Sequence, residues 1–283
     1  HEIYVDYQSA RKNADGDCTV AMGFWEDGTV HPYPQFTGSC AQGMKRRPQC
    51  TLAQVWKRAL EERPTLAAEV AKEYSVGALG FPTDVTQRES VEALVGRTKN
   101  VFGRIDALVN GAAVDPKFDP EHADEHAHTF EGYPLEAWWQ SLNVDLTGAF
   151  LCAQAVAPVL KQQNRGVIVN VSSMYGLVGP DQRLYEKDDP LAPKATKPPS
   201  YSATKAGLVG LTRYLAAYFA GTGIRVNTLT LGGVLSGHDE QFLKRYSARV
   251  PLGRMMNREE VGGPLLFLLS DASSYMTGAN LVV

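Results

Sequence analysis

Short apolar runs alternate with amphipathic segments along most of the chain, from about Thr65 onward. Each run is β-branched and ends in Gly, Asn, Asp or Ser, which is typical of a buried strand followed by a loop. The predicted strands lie within residues 75–85, 104–114, 166–173 and 223–233. The intervening segments space their apolar residues as helices do, and the predicted helices span residues 63–74, 88–102, 134–163, 201–220 and 257–270.

Regular alternation of strands and helices predicts an α/β fold, in which a doubly wound parallel sheet carries helices on both faces. Ligands of such sheets bind beyond the carboxyl ends of the strands. Small and polar residues end four of the predicted strands, in the sequences "DVT", "NGAA", "SS" and "LGG". We therefore expect the functional site where these four sequences meet.

The N-terminal segment, residues 1–52, does not share this alternation. It is polar and rich in turn residues, and it contains no convincing strand–helix unit. We interpret it as an irregular segment, or as a degraded first strand–helix unit, preceding a single Rossmann-like domain over residues 53–283. Residues 115–133 and 179–200 are predicted to be loops. The chain begins with His1 and ends in "GANLVV", which is typical of a trimmed product.

Composition and charge exclude several classes of protein. With 283 residues, 44% of them hydrophobic and 21% charged, the chain is typical of a globular protein with a sizeable core. Its net charge of −3 and the lack of a long basic run argue against a nucleic-acid partner. No apolar run approaches the roughly 18 residues that a membrane span needs, and no secretory signal is visible. Four sparse cysteines without metal-site spacing favour a reducing, cytoplasmic location.

The most informative pair of residues lies in the segment "PSYSATK", where Tyr201 and Lys205 are four positions apart. On a helix they share one face and lie about 6 Å apart along the axis. A phenol titrates near a pKa of about 10, and a neighbouring ammonium lowers that pKa, which suits proton exchange with an alcohol or carbonyl. The alternative is a solvated Tyr–Lys pair on a surface helix.

The context of this pair favours the chemical interpretation. "IVNVSS" is a buried strand ending in two hydroxyls, and "NVDLTGAF" places Asn143 within an otherwise apolar helical pattern. "NGAA" and "FPTDVT" end two further strands. Singly, these residues are explained as a strand cap, a core amide or a helix cap. Together and in this order they resemble the short-chain dehydrogenase/reductase family, over roughly Leu66 to Val283, about three quarters of the chain.

The resemblance implies a catalytic role for four residues. Tyr201 would be the proton donor and acceptor, and Lys205 would lower its pKa and hold the nicotinamide ribose. Ser173 matches the hydroxyl that orients the carbonyl better than Ser172 does, because it directly precedes "MYG". Asn143 matches the helix amide that supports a water and proton relay. The implied reaction interconverts an alcohol and a carbonyl, with a small molecule as the substrate.

The implied cofactor is NAD or NADP. The "NGAA" segment stands where the family usually has "NNAG", and Leu231 replaces the proline of a "PGG" sequence. Besides Tyr201 and Lys205, the implied cofactor contacts are Asp84, Val85, Asn110, Gly111, Ala112, Gly232 and Gly233.

The glycine-rich loop of the family is the main departure. The nearest match to its TGxxxGxG sequence is "TGSCAQGMK", in which Gly38 and Gly43 would let the backbone approach the pyrophosphate. The spacing is one residue longer, Lys45 replaces a third glycine, and Pro48 would shorten the helix that follows. We therefore expect weakened cofactor binding. Basic residues at 57 and 58, Lys57 and Arg58, would favour the 2′-phosphate of NADP.

Three hypotheses follow from this departure. The first is an active NAD(P)-dependent oxidoreductase. The second is a catalytically impaired binding or regulatory subunit that binds the cofactor weakly. The third is a fold altered at its N-terminus by an anomaly in the sequence. The presence of all four implied catalytic residues favours the first.

An enlarged loop indicates the substrate class. Between Ser173 and Tyr201 lie 27 residues, roughly twice the number expected in the family. The sequence "SSMYGLVGPDQRLYE" resembles sugar- and polyol-directed members, so Tyr175, Gln182 and Arg183 are the predicted substrate contacts. The alternative is that the enlarged loops form oligomer contacts.

Two further predictions concern assembly and metals. We expect a homodimer or homotetramer, because two helices carry apolar residues beyond one narrow stripe. These apolar residues are Phe150, Leu151, Leu208, Leu211, Leu215 and Phe219. A metal site is not expected, and His122, His126 and His128 of "HADEHAH" are interpreted as solvated loop residues.

Overall fold

The computed structural model describes residues 3–8, 19–23, 77–114, 129–186 and 196–283. Its strands are β1 (Ile3–Gln8), β2 (Thr19–Gly23), β3 (Gly77–Pro82), β4 (Ala107–Asn110), β5 (Gly166–Ser173), β6 (Ile224–Leu231) and β7 (Asn280–Val282). Its α-helices are α1 (Arg88–Phe102), α2 (Leu135–Ser141), α3 (Ala149–Gln163), α4 (Pro199–Tyr218), α5 (Glu240–Ser247) and α6 (Gly262–Leu269). A π-helical segment, Leu142–Gly148, joins α2 to α3. Short 3₁₀ turns span Met174–Gly176, Gln182–Leu184, Arg258–Val261 and Asp271–Ser273.

One seven-stranded sheet organises these elements, in the order β3-β1-β2-β4-β5-β6-β7. Parallel pairing joins β2 to β4, and β4 through β7 continue in the same direction. Strand β1 runs antiparallel to both of its neighbours. The predicted parallel sheet is therefore correct for its centre and its β7 side, while the β1 position makes the sheet mixed.

The two N-terminal strands differ from the sequence expectation. Residues 1–52 offered no convincing strand–helix unit, yet β1 and β2 pair with one another from Tyr4↔Gly23 to Gln8↔Thr19. Strand β2 then pairs with β4 in the register Val20↔Ala107. Strands this short are stabilised by non-local pairing more than by their own pattern, which explains why the periodicity did not predict them. A domain boundary between residues 52 and 53 stays a prediction.

Several predicted features lie outside the described residues. They are the helix at 63–74, the glycine loop with Gly38 and Gly43, the basic residues Lys57 and Arg58, and the loop with His122, His126 and His128.

Helix α1 has the predicted bounds, and local side chains explain its ends. Before it, Asp84 Oδ1 accepts a hydrogen bond from Thr86 N at 2.9 Å, and Asp84 N donates to Ser90 Oγ at 2.9 Å. After it, Gly103 has a φ of 79°, and its N–H donates to Lys99 O. The buried side of the helix is formed by Val91, Leu94 and Thr98.

The predicted helix 134–163 is one helical stretch whose middle is π-helical. A π turn places i→i+5 hydrogen bonds in an α-helix and is frequent at functional sites. A Cβ at Gly148, the last residue of this turn, would lie 2.9 Å from Val85 Cβ, so glycine permits the close packing seen there. By length and apolar composition the whole stretch 135–163 also qualifies as a candidate membrane span, but its buried side packs in the protein core.

Most of the apolar residues assigned to an oligomer contact belong to the core. Four are buried and a fifth is partly buried: Leu151, Leu208, Leu215 and Phe219, with Leu211. Only Phe150 of that set is exposed. The original argument is therefore wrong for these five residues, because they pack against the sheet and the neighbouring helix. The exposed aromatic residues of α4 are Tyr214 and Tyr218.

Candidate active site at the carboxyl edge of the sheet

Lys205 fastens helix α4 to the end of strand β5. Its side chain is fully buried, and Nζ donates to Val171 O at 3.2 Å. In the opposite direction Ser172 Oγ donates to Lys205 O at 2.8 Å. Tyr201, one turn earlier on α4, is 6% exposed, and Lys205 Nζ lies 5.6 Å from the centre of its ring. The phenol and the ammonium therefore lie together at the carboxyl end of β5.

A close backbone contact brings the turn after β5 onto α4. A Cβ at Gly176 would lie 2.6 Å from the carbonyl carbon of Lys205 and 2.8 Å from Ala206 N. Only glycine allows this approach without a shift of backbone. The contact holds the segment that begins at Ser173 beside the Tyr201 turn of the helix.

The two serines at the end of β5 have different surroundings. Ser172 is buried and its hydroxyl is engaged by α4, as described above. Ser173 is half-buried, and its Oγ accepts a hydrogen bond from Tyr175 N at 3.3 Å, which leaves the hydroxyl proton for donation. This geometry favours Ser173 over Ser172 as the hydroxyl that contacts a substrate.

A buried carboxylate joins the π-helical segment to the site. Asp145 is 1% exposed, and its Oδ1 accepts from Val114 N at 2.7 Å while Oδ2 accepts from Thr204 Oγ1 at 2.9 Å. Val114 follows strand β4, and Thr204 directly precedes Lys205. Asp145 thus connects the loop after β4 with the turn of α4 that leads from Tyr201 to Lys205.

The predicted role of Asn143 in a proton relay stays a prediction, and Asn143 and Asp145 lie on different sides of their helix. Ser141 and Asp145, one turn apart, are buried on the side that contacts α4, whereas Asn143 between them is exposed. The helical turn therefore points Asn143 away from α4. Asp145 was missed, although a lone Asp among the apolar residues of "NVDLTGAF" was a readable signal.

Three hydroxyls fix the start of α4. Tyr133 OH and Ser200 Oγ lie 2.9 Å apart, and Ser200 Oγ donates to Ser141 Oγ at 2.9 Å. Ser141 in turn donates to the carbonyl of Ala137. The first turn of α4, which carries Tyr201, is thereby held against α2.

The side chain of Asn110 takes part in the core rather than in an open site. Its Nδ2 donates to Asn170 Oδ1 at 2.8 Å, and Asn170 Nδ2 donates to Thr212 Oγ1 at 2.8 Å. Asn110 is the last residue of β4, with Gly111 and Ala112 following at the carboxyl edge. The Nδ2 of Asn110 is therefore engaged within the core, and a cofactor contact of Asn110 stays a prediction.

The contacts of Asp84 and Val85 in the structure are with neighbouring protein groups. Asp84 Oδ1 accepts from Thr86 N and Oγ1, and so forms the turn into α1. Val85 is buried and packs against the π-helical segment at Gly148. Both residues nevertheless lie directly after β3 at the carboxyl edge, where the predicted adenine contact requires them.

Tyr246 holds the glycine pair after β6. Gly233 N donates to Tyr246 OH at 2.6 Å, and the Tyr246 hydroxyl also contacts Met174 Sδ at 3.7 Å. Gly232 N donates to Val283 O at 2.8 Å. A Cβ at Gly233 would lie 2.7 Å from the Tyr246 ring, so glycine is required here by packing as well as by any ligand.

The first part of the enlarged loop is anchored to the turn that follows α5. Asp181 pairs with Arg183 and with Arg249, with nitrogen–oxygen distances of 2.8 and 2.9 Å. The hydrogen bond from Arg183 lowers the pKa of Asp181 to about 2, and the charges of Arg183 and Arg249 add to the effect against partial desolvation. Gln182 Oε1 accepts from Lys197 N at 2.9 Å, which closes the base of the loop.

The three predicted substrate residues have structural contacts. Arg183 and Gln182 hold the loop as described above, and Tyr175 OH accepts from Tyr185 OH at 3.2 Å. The sequence pattern did not predict these structural contacts, because several of the partner residues lie far along the chain. A substrate contact for Tyr175, Gln182 and Arg183 stays a prediction.

The described edge fits a nicotinamide nucleotide in its chemistry. A buried ammonium is costly unless polar or anionic groups accept its hydrogen bonds. The ammonium of Lys205, close to Tyr201, could donate such hydrogen bonds to the hydroxyls of a ribose. Strands β3, β4, β5 and β6 run in the same direction, so the loops that follow them all begin at this edge. The predicted pyrophosphate residues, Gly38 and Gly43, lie outside the described chain. Among the described residues no group of three His, Cys, Asp or Glu side chains could hold a metal ion.

Comparison with known proteins assigns the chain to a family. Residues 41–185 match the family described as short chain dehydrogenase, and residues 192–283 match the family described as enoyl-(acyl carrier protein) reductase. The chain belongs to the short-chain dehydrogenase family. This family membership confirms the predicted resemblance and the Rossmann-like fold class.

Relatives within the family are dehydrogenases at moderate identity. A trans-4-hydroxycyclohexanecarboxylate dehydrogenase of Sinomonas cyclohexanicum is 35% identical over 228 residues, covering 79% of this chain and 78% of that protein. An L-rhamnose 1-dehydrogenase (NAD(P)(+)) of Azotobacter vinelandii is 32% identical, covering 77% and 78% of the two chains. A short chain dehydrogenase of Leptospira borgpetersenii, solved with bound NAD+, has a TM-score of 0.62 and 32% identity, covering 72% of each chain. The chain is therefore an NAD(P)-dependent dehydrogenase/reductase, as its sequence predicted.

Proposed function

We propose that this short-chain dehydrogenase interconverts an alcohol and a carbonyl on a sugar- or polyol-like substrate, with Tyr201 as the general acid and base. The observation that carries the proposal is the pair of hydrogen bonds between Lys205 and the end of β5, because it fastens the helix that carries Tyr201 to the strand that ends in Ser173. The sugar-like substrate is supported by the L-rhamnose dehydrogenase among the relatives and by the enlarged loop.

Each residue has a separate task in the proposed reaction. The nicotinamide, when bound, supplies or accepts the hydride at the reacting carbon. In the direction of reduction, Ser173 donates a hydrogen bond to the carbonyl oxygen, and Tyr201 donates the proton that this oxygen takes up. In oxidation the phenolate of Tyr201 removes the proton of the alcohol. Lys205 stabilises that phenolate and donates to the ribose hydroxyls.

Asp145 has a positioning role, which differs from the relay role that the sequence assigned to Asn143. Its carboxylate orients the loop after β4 and the turn of α4 that carries Lys205, through Val114 and Thr204. It acts as a positioning residue, because its contacts are with protein groups that lie next to the site. The backbone of Gly111 and Ala112, together with Gly232 and Gly233, would contact the cofactor.

We further propose that the enzyme is a cytoplasmic homodimer or homotetramer. Exposed aromatic side chains on the outer side of α3 and α4 support an interface there: Phe150, Tyr214 and Tyr218. Members of the family commonly form oligomers.

The test combines one variant with a panel of substrates. Turnover with NAD+ and with NADP+ is measured on L-rhamnose, on a four-carbon polyol and on trans-4-hydroxycyclohexanecarboxylate. Tyr201→Phe should remove nearly all turnover while the affinity for reduced cofactor, measured by fluorescence titration, changes little. Tyr275→Phe, on a fully exposed tyrosine, is the matched control and should behave as wild type.

Three outcomes would overturn the proposal in whole or in part. Turnover of Tyr201→Phe at the wild-type rate would exclude the phenol as the acid and base. Failure of the wild-type protein to bind either reduced cofactor would favour the binding or regulatory subunit. Activity on the cyclohexane acid without activity on L-rhamnose or on the polyol would replace the proposed substrate class and keep the mechanism.

A further inference from the structure

A second lysine lies against the ring of Tyr201. Lys197 precedes Tyr201 by four residues, as Lys205 follows it by four, in the sequence "KPPSYSATK". Lys197 Nζ is 4.0 Å from the centre of the Tyr201 ring, and Lys205 Nζ is 5.6 Å from the same centre. Two ammonium groups therefore lie within reach of one phenol, and the one from outside the helix is nearer to the ring.

The backbone of Lys197 is held in place by its surroundings. Its N–H donates to Gln182 Oε1 at 2.9 Å, from the other end of the enlarged loop. The next two residues, Pro198 and Pro199, restrict the chain by their fixed φ angles, and Pro198 O accepts from Tyr201 N at 3.2 Å. The side chain is half-buried. The backbone from which the Lys197 side chain extends is thus held by a residue of the enlarged loop, Gln182.

We propose that Lys197 is a positioning residue that stabilises the phenolate of Tyr201 and works together with Lys205. The inference rests on the proposed function, because a stabilised phenolate matters for turnover only if Tyr201 transfers the proton. A cation within about 6 Å of an aromatic ring is attracted to its face. The attraction is stronger when the ring is part of an anion, so the cation favours the charged form.

Other charged and titratable groups surround Tyr201 and define what the test has to hold constant. Lys205 lies on α4 itself, and Asp145 approaches from the π-helical segment through Thr204. Tyr175 belongs to the turn after β5, and Tyr133 precedes α2 and contacts Ser200. Of these groups, Lys205 and Lys197 carry the positive charge that favours a phenolate, and both lie near the Tyr201 ring. Substitution of Lys197 alone changes one of the two favourable charges.

The enlarged loop connects Lys197 to a second anchor in the protein. Gln182 holds the backbone of Lys197, and Asp181 of the same loop pairs with Arg249, in the turn after α5. The enlarged loop therefore helps to place a positive charge beside the ring of Tyr201.

The first experiment measures the pH dependence of kcat/KM for alcohol oxidation at saturating oxidised cofactor. Oxidation requires the phenolate, so the rate rises with pH through the pKa of the active-site phenol. Lys197→Met should move this rising limb to higher pH by about half a unit, which corresponds to an about threefold lower rate below the limb. Lys197→Arg keeps the charge and should restore the wild-type limb. Lys244→Met, on an exposed lysine of α5, is the control and should leave the limb unchanged.

The second experiment needs no substrate. Tyrosinate absorbance is titrated in the cofactor-free protein, and the curve of Tyr201→Phe is subtracted to isolate Tyr201. The isolated titration should move upward in pH in Lys197→Met and stay in place in Lys197→Arg. Thermal unfolding of each variant verifies that it is folded.

The outcomes separate this inference from the proposed function. A rising limb and a tyrosinate titration of Lys197→Met that coincide with wild type would overturn the inference. An equal shift in Lys197→Arg and Lys197→Met would also overturn it, because packing and not charge would then be responsible. Full turnover in Tyr201→Phe would instead overturn the proposed function, whatever Lys197 does to the titration.

Discussion

The carboxylate of Asp145 accepts a hydrogen bond from the hydroxyl of Thr204, with 2.9 Å between Oδ2 and Oγ1. Thr204 Oγ1 also lies 3.1 Å from the carbonyl of Tyr201, in the preceding turn of α4. Through Oδ1, the same carboxylate holds Val114 N after β4. One buried side chain thus connects the helix that carries the proposed acid and base with the loop where the cofactor is expected.

The first prediction concerns this carboxylate. Asp145→Ala should lower the free energy of unfolding by about 1–3 kcal/mol, because it leaves the buried N–H of Val114 and the hydroxyl of Thr204 without their acceptor. Asp145→Asn should lose less, since its amide oxygen still accepts from Val114 N and its NH₂ donates to Thr204. Denaturant unfolding followed by circular dichroism measures the difference.

Asn143→Ala is the control for the same segment and should change stability by less than about 0.5 kcal/mol, as expected for an exposed position. It also decides between two assignments. Near-complete loss of turnover in Asn143→Ala, with Asp145→Asn fully active, would restore the role that the sequence gave to Asn143.

The central elements were predictable because their patterns are local. The helix over 88–102 and the strand over 166–173 have the predicted bounds, since amphipathic spacing, a terminal glycine and a β-branched run are visible within one segment. Strands β1 and β2 were not predictable in this way. Their positions depend on pairing with β3 and β4, which lie far along the chain.

The residues of the candidate site also differ in whether local sequence predicts them. The spacing of Tyr201 and Lys205 is local to one helix, and the sequence predicted their shared face. The roles of Asp145 and Lys197 arise from contacts between elements, with Thr204 in one case and with Gln182 and the Tyr201 ring in the other. A helical pattern carries no information on which neighbouring segment a polar residue will meet.

The second prediction concerns the contact between the turn after β5 and α4. Gly176→Ala places a Cβ 2.6 Å from the Lys205 carbonyl carbon, so the backbone has to move apart. We expect a loss of about 1–3 kcal/mol in stability, as for other overpacked sites, and a larger loss of kcat than of substrate affinity. Unfolding and steady-state kinetics measure the two effects.

Gly179→Ala is the matched control three residues later, because its Cβ would meet no atom within 4 Å. It should leave both quantities near wild type. Equal stability and equal kcat in Gly176→Ala and wild type would contradict the view that this contact positions Ser173.

The third prediction concerns assembly. Tyr214 and Tyr218 are 65% and 55% exposed on α4, and their rings are stacked with 6.2 Å between centres. Light scattering at micromolar concentration should give a dimer or tetramer, and Tyr214→Glu should lower the mass, because burying a carboxylate in an apolar interface is costly. Leu252→Glu, at another exposed apolar position, should keep the wild-type mass. A monomeric wild-type protein would refute the proposed interface.

The fourth prediction concerns the anchor of the enlarged loop. The hydrogen bond from Arg183 lowers the pKa of Asp181 from 3.8 to about 2. A group whose folded-state pKa is depressed stabilises the folded state above the unfolded pKa, and this contribution is lost as pH falls toward the folded pKa. The difference in thermal midpoint between wild type and Asp181→Asn should therefore be constant above about pH 5 and shrink toward zero at about pH 2.

Asp271→Asn, in an exposed pair with Arg165 at 3.5 Å, should give a small difference at every pH. A difference for Asp181→Asn that grows as the pH falls would contradict the assignment of Asp181 as a charged anchor.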